Sequence, residues 1–240
     1  APQFMILMTS QNLDYAREAL FDTAEMAGAD PTMPKGLRRM IGIPAPELRQ
    51  ANGQERTTAP MRRLDPEDET SPVVGGGTFR IAAASGKSGG RSMSFRRVIM
   101  DELRQHTSWE AYNAGIHTMN AVRDAQAFFI SNQGDRNAVV LHALREEALE
   151  GVDRRLGIFE WSSPKDSRAD DIEALRYANP NLGTRNDHNI DPETLIAEAR
   201  TAIRAGGDAL AKFKIEVMCI GVPNLDPAID LVAWWECGGG

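Results

Sequence analysis

RRVIMDELRQH, residues 96–106, decides how the rest of the chain is read. Val98, Ile99 and Met100 form a short apolar run that predicts a strand over residues 97–101, and the run ends in two adjacent acids, Asp101 and Glu102. An unbroken apolar run suits a strand buried on both faces of a parallel sheet. In open sheets of that kind ligands sit beyond the carboxyl ends of the strands, so such a strand carries its terminal acids to the ligand edge. Outward from it the pattern recurs. Residues 4–9 and 125–131 are further apolar runs, and 78–84 and 156–161 also read as strands. Helical spacing separates them: Leu13, Ala16, Leu20 and Ala24 mark a helix over residues 12–27, closed by Gly28 and Pro31. A second helix runs from a cap at Thr107 or Ser108 to about Met119, and a third spans 137–149. Strands alternating with helices predict an α/β fold, a mostly parallel sheet flanked by helices.

An apolar strand ending in Asp-Glu is the Walker B pattern of P-loop ATPases with an added glutamate, which makes the expected fold P-loop NTPase-like. Asp101 would hold magnesium, directly or through water. Glu102, one residue on, would activate the attacking water as a base. The next strand ends in Ser131, Asn132 and Gln133. Small polar residues at that tip can hydrogen-bond a γ-phosphate or the water and relay its loss; a Ser-Asn turn after a core strand is the plainer reading. Glu102 and Ser131 stand 29 residues apart with one helix between them, and the two motifs in this order are more specific than either alone.

A phosphate loop, GxxxxGK followed by Ser or Thr, is the remaining requirement. Gly86-Lys87-Ser88 is the chain's single match to its end, yet Ile81 stands where the first glycine belongs. Lys87 precedes Asp101 by only 14 residues, too few for a helix and a return to the sheet, and Gly89-Gly90 occupies the helix start. This segment is not a phosphate loop, and a working one is expected before Ala1.

Residues 1–165 are expected to form the core and 166–240 a helical subdomain, with helices at 171–177, 192–205 and 208–219 separated by Pro180, Gly183 and a stop and restart at Gly206-Gly207. Residues 31–72 are rich in Pro, Gly and charge, with short possible strands at 38–43 and 54–58. Thr9 and Gln11 at the tip of the first strand could face DNA or nucleotide, or mark a helix cap by Ser10 or Asn12.

Composition narrows the classes. The chain has 240 residues, 42% hydrophobic and 25% charged, ordinary for a globular protein. Two cysteines, Cys219 and Cys237, cannot build a disulfide framework or a four-thiolate zinc site and are expected as reduced thiols. No stretch approaches the roughly 18 to 20 apolar residues of a membrane span. The net charge of -7 argues against a dedicated nucleic-acid binder, although residues 35–63 and 87–104 are locally basic and 146–173 acidic. His106, His117, His142 and His188 lack metal-ligand spacing and are expected at the surface or as caps. Trp109, Trp161, Trp234 and Trp235 are expected to pack rather than to stack on bases. The chain opens on Ala1-Pro2 and an apolar run and stops at Gly240 just after Trp234-Trp235, which predicts a fragment of a longer protein.

Several strings resemble the large terminase subunit of tailed bacteriophages, a DNA-packaging motor. MTSQNLDYAREALF (8–21), NGQE (52–55), TFRIAAASGKSGGRSMSFRRVIMDELRQHTSWEAY (78–112), AQAFFISNQGD (125–135), FEWSSP (159–164) and YANPNLG (177–183) match in order over nearly the whole chain. DELRQHTSW and ANPNLG are the more specific pair. The resemblance implies an ATPase that uses ATP and Mg2+, with Asp101 binding magnesium, Glu102 as catalytic base and Ser131, Asn132 and Gln133 coupling hydrolysis to movement. Arg91, ten residues before Asp101, would be a trans-acting finger reaching a neighbouring subunit's ATP. The implied partners are double-stranded viral DNA, a portal protein, a small terminase subunit and further copies in a homo-oligomeric ring, in the host cytoplasm during virion assembly and without a membrane. The nuclease domain of the family is expected after residue 240. Two other readings stay open: a catalytically silent α/β assembly or interaction module, and a superfamily 2-like helicase fragment, against which ANPNLG and SWEAY speak.

Overall fold

The computed structural model describes residues 4–10, 12–26, 46–51, 54–74, 76–83, 93–184 and 189–222. The chain divides into two compact units, Ala1–Ile130 and Ser131–Gly240.

In the first unit the apolar run near the N-terminus becomes β1 (Met5–Ser10), and helix α1 (Leu13–Met26) follows. Asn12 caps that helix, its Oδ1 accepting the Asp14 N–H at 2.9 Å. Strands β2 (Glu47–Arg49), β3 (Arg56–Thr58), β4 (Arg62–Arg63), β5 (Val73–Val74), β6 (Thr78–Ala83) and β7 (Arg97–Asp101) come next, then helix α2 (Glu110–His117) and β8 (Gln126–Ile130). The main sheet has the order β2-β3-β6-β1-β7-β8. Strands β6, β1, β7 and β8 pair in parallel, whereas β3 is antiparallel to both β6 and β2. The α/β, mostly parallel sheet expected from the sequence is therefore present, with β4 and β5 as a separate antiparallel pair.

Burial explains the central position of β1 and β7. Leu7, Val98 and Met100 are 3%, 0% and 0% exposed; Val98 and Met100, two residues apart, share one fully buried face of β7, and Ile99 on the other face is half-buried. Helix α1 covers one side, packing Ala16 and Leu20 on Ile81 of β6. Truncating Leu20 to Ala would cost about 2–5 kcal/mol. Helix α2 lies close over β7: a Cβ at Gly115 would overlap the terminal methyl of Met100. Arg17 of α1 ties to the buried Glu55 before β3, Nη2 to Oε1 at 3.0 Å.

The helix expected from Thr107 or Ser108 starts later, with Trp109 as its first flanking residue and no side-chain cap. The reason is local. A 3-10 turn over Leu103–Gln105 consumes the residues after the acids, so the chain reaches helical geometry only at Glu110. Trp109 packs edge-on against Tyr112, centroids 5.1 Å apart. The possible strand at 38–43 and most of the Gly/Ser loop at 85–94 lie outside the described residues.

The second unit contains α3 (Val139–Glu150), α4 (Ile172–Ala178), α5 (Pro192–Ala205) and α6 (Gly207–Glu216). Leu175, Leu195, Ala199, Phe213 and Met218 form its core. Aspartates start two of the helices: Asp171 accepts from the N–H groups of Glu173 and Ala174, and Asp191 accepts from Thr194 N at 2.8 Å with Pro192 in the first turn. Gly206, at φ 64°, ends α5, and α6 begins one residue on. Residues 156–161 are not a strand, contrary to the sequence expectation. They pair with no strand among the described residues, and Phe159 and Trp161 are 87% and 58% exposed. Trp161 is therefore not a core residue. No helix of the described residues is long and apolar enough to cross a membrane.

Candidate active site

Because β6, β1, β7 and β8 are parallel, their carboxyl ends share one edge. Across β7 and β8, Asp101 pairs with Ile130; across β1 and β7, Thr9 pairs with Met100. Ser10, the last residue of β1, and Asp101 thus end neighbouring strands, and β8 ends at Ile130 beside the acid.

The Asp101 side chain is half-buried and enters no hydrogen bond or ion pair among the described residues. Glu102 has φ 55° and ψ 47°, the left-handed region that a non-glycine residue enters at a cost. Residues held in such conformations cluster at functional sites. That geometry starts the 3-10 turn: Gln105 N donates to Glu102 O at 2.9 Å and His106 N to Leu103 O at 3.0 Å. Leu103, 1% exposed, fixes the turn to the core. The turn brings Arg104 back onto its neighbour, so that Arg104 Nε donates to Glu102 Oε2 at 2.7 Å, with Gln105 Nε2 at 3.5 Å from the same oxygen.

Two buried polar groups belong to the same unit as the acids. Ser10 Oγ, in a residue 1% exposed, has no hydrogen-bond partner among the described residues. His106 is 3% exposed and neither ring nitrogen is hydrogen-bonded among the described residues. Burial pushes the His106 pKa below its ordinary value. This corrects the expectation of a surface or capping histidine. By contrast, His142 Nε2 contacts the Asp135 carbonyl at 2.7 Å and His117 Nδ1 contacts Asn120 Nδ2 at 3.3 Å. His188 lies outside the described residues.

The segment after β8 is held within the second unit. Ser131 Oγ donates to Asn132 O at 2.8 Å, and Asn132 Nδ2 reaches Glu216 O at 3.5 Å and Oε2 at 3.4 Å. Gln133 lies against Gly221, where an added Cβ would sit 2.8 Å from its Nε2. Arg91, Gln11 and the Gly86-Lys87-Ser88 stretch lie outside the described residues.

Magnesium places modest demands on such a donor set. No group of three or more His, Cys, Asp or Glu able to hold a metal occurs among the described residues. Magnesium does not require such a cage: it keeps most of its waters and takes one or two carboxylates together with substrate phosphates. Asp101, a hard oxygen donor with uncommitted lone pairs at the carboxyl edge, fits that demand. Sequence reasoning found Asp101 and Glu102 but missed Arg104, the unbonded Ser10 hydroxyl and the burial of His106. A buried serine at a strand end beside an acid leaves no periodic signal, and the Arg104 contact forms within a turn that the sequence pattern does not mark.

A mostly parallel α/β sheet with an acid pair at its carboxyl edge defines the class of this chain. The particular fold is that of the HK97 bacteriophage large terminase, whose crystal structure matches at TM-score 0.68 over 99% of this chain, with 18% identity. The chain spans 44% of that terminase chain. The Thermus phage P74-26 large terminase ATPase domain matches at TM-score 0.43 with 19% identity, over 60% of this chain and 53% of that one. The large terminase of a thermophilic bacteriophage, in complex with ADP, matches at 0.39 with 12% identity, over 65% of this chain and 32% of that one. No family model matches the sequence, and no curated protein does.

Proposed function

We propose that this chain is the ATPase motor part of a phage large terminase, coupling ATP hydrolysis to translocation of viral DNA into a procapsid. The observation that carries the reading is the pairing of Asp101 with Ile130, which puts the acid pair beside the strand leading into Ser131, Asn132 and Gln133, in a fold shared with the HK97 large terminase.

In this reading Asp101 holds Mg2+, which when bound neutralises phosphate charge and fixes the nucleotide for in-line attack. Glu102, the left-handed residue that follows the strand, takes the proton from the attacking water. Water oxygen bonds to the γ-phosphorus as the bond to ADP breaks, and the proton goes to Glu102. Arg91 is the trans-acting finger of a homo-oligomeric ring. Ser131, Asn132 and Gln133 sense loss of the γ-phosphate. Residues 1–165 act as the motor core and 166–240 as its linker. Double-stranded DNA, the portal protein and the small terminase subunit are its partners during assembly in the host cytoplasm.

The phosphate loop belongs, in this reading, to chain preceding Ala1. The outer strand supports it: β8 has no partner beyond it among the described residues, and its Phe128 and Ile130 are 48% and 55% exposed. A further parallel strand fits there. The test is ATP turnover by the full-length protein with magnesium titrated. Asp101→Asn should abolish turnover or raise the magnesium requirement about tenfold or more, since one charged ligand is lost. Turnover by the unaltered full-length protein that needs no magnesium, or no turnover at all, would contradict the reading, and the latter favours the silent assembly module.

A further inference from the structure

The short turn after α6 gathers side chains and backbone from separate parts of the second unit. Asn179 Nδ2 donates to Val217 O and to Leu175 O, both at 2.9 Å. Ser163 N donates to Met218 O at 2.9 Å, and Ile220 N closes the turn on Lys214 O at 2.9 Å. Met218 and Ile220, 0% and 8% exposed, sink it into the helical core, and Cys219 takes a left-handed φ of 52° to make the bend. The remaining contacts come from the segment after β8: Asn132 on Glu216, and Gln133 on Gly221.

This turn is thus fixed on its core side and touched on the other by two of the residues read as coupling hydrolysis to movement. Gly221 lets the Gln133 side chain approach closely: a Cβ at position 221 would lie 2.8 Å from Gln133 Nε2, and the amide would have to shift to admit it. Asn132, Glu216 and Gly221 are exposed, so these contacts sit at the surface beside the buried turn. We propose that Glu216 and Gly221 are the receiving residues of the coupling segment, passing a displacement of Asn132 and Gln133 to the α6 end and so to the chain that follows Gly221. Both are positioning residues, with no part in hydrolysis itself. The inference rests on the reading of Ser131, Asn132 and Gln133 as the coupling segment.

The test uses the full-length protein with procapsids and linear double-stranded DNA, and reads two quantities: ATP turnover, and DNA packaged per ATP hydrolysed. Gly221→Ala should lower DNA per ATP about fivefold or more while ATP turnover stays within about twofold, as expected for loss of a coupling free energy. Glu216→Ala should act in the same direction. Glu216→Gln, whose amide oxygen still accepts from Asn132, should restore most of the ratio. Gln133→Ala separates this inference from its parent. If Gln133→Ala leaves DNA per ATP unchanged, the coupling segment itself was misassigned and the inference falls with it. If Gln133→Ala lowers the ratio but Gly221→Ala and Glu216→Ala do not, the coupling reading stands and the relay is overturned. An equal fall of ATP turnover and packaging in Glu216→Ala also overturns it, because a general folding defect moves both. Should Gly221→Ala not fold, the Glu216→Ala and Glu216→Gln pair decides.

Discussion

Arg104 Nε lies 2.7 Å from Glu102 Oε2, which ties the proposed base to a cation two residues along the chain. The guanidinium occupies one of the two carboxylate oxygens and so restrains the side chain, and the pair has to open if Oε2 is the oxygen that receives the water's proton. The pair is partly exposed, at 20% and 27% for the two side chains, and pairs of that kind are worth up to about 1 kcal/mol. Arg104→Met should therefore raise ATP turnover, by no more than about fivefold on that scale. Steady-state kinetics check this. A loss of a hundredfold would mean that Arg104 takes part in the reaction rather than restraining the base.

Arg91 makes a prediction about oligomers. If it reaches a neighbour's nucleotide, Arg91→Ala subunits mixed with Glu102→Gln subunits should recover activity that neither has alone, because some interfaces then pair an intact Arg91 with an intact Glu102. A finger of this kind is worth about a thousandfold or more in rate, so a small fraction of mixed interfaces is measurable. Mixing that recovers nothing places Arg91 in a structural or cis role.

His106 predicts a pH dependence of stability. Burial holds its pKa below the ordinary 6.5. In the unfolded chain the imidazole takes a proton as pH falls through that ordinary value, whereas the folded site resists. The stability it contributes is fully present above the unfolded pKa and is lost as pH falls through the lower, folded one. Denaturant midpoints followed from about pH 7 to about pH 5 should fall more steeply in the unaltered protein than in His106→Leu. Parallel curves would show that His106 titrates alike in both states.

The parts of the fold that were legible are those where an apolar run is continuous or capping is explicit. β7 was readable to the residue because an unbroken apolar run carries one fully buried face, Val98 and Met100, and one half-buried, Ile99. Helix α5 was readable because Asp191-Pro192 starts it and Gly206 stops it. Strands β2, β4 and β5, at two or three residues, are too short to show alternation. Residues 156–161 carry a strand's apolar residues, but a strand exists only by pairing, and pairing is not local information. In the site, the order of Asp101, Glu102 and Ser131 was legible from the two apolar runs. Arg104 was not: residues two apart do not meet on a helix, and this pair forms in the turn that follows β7. The burial of His106 was hidden by its polar neighbours Gln105 and Thr107.

The most direct test of the account is Glu102→Gln in the full-length protein, with ATP turnover and ATP binding measured side by side. Glutamine preserves shape and removes the proton acceptor. The account predicts that turnover falls about a hundredfold or more while the nucleotide dissociation constant changes little, as expected when a general base is lost. Turnover unchanged from the unaltered protein would contradict it and would mean that another group accepts the water's proton.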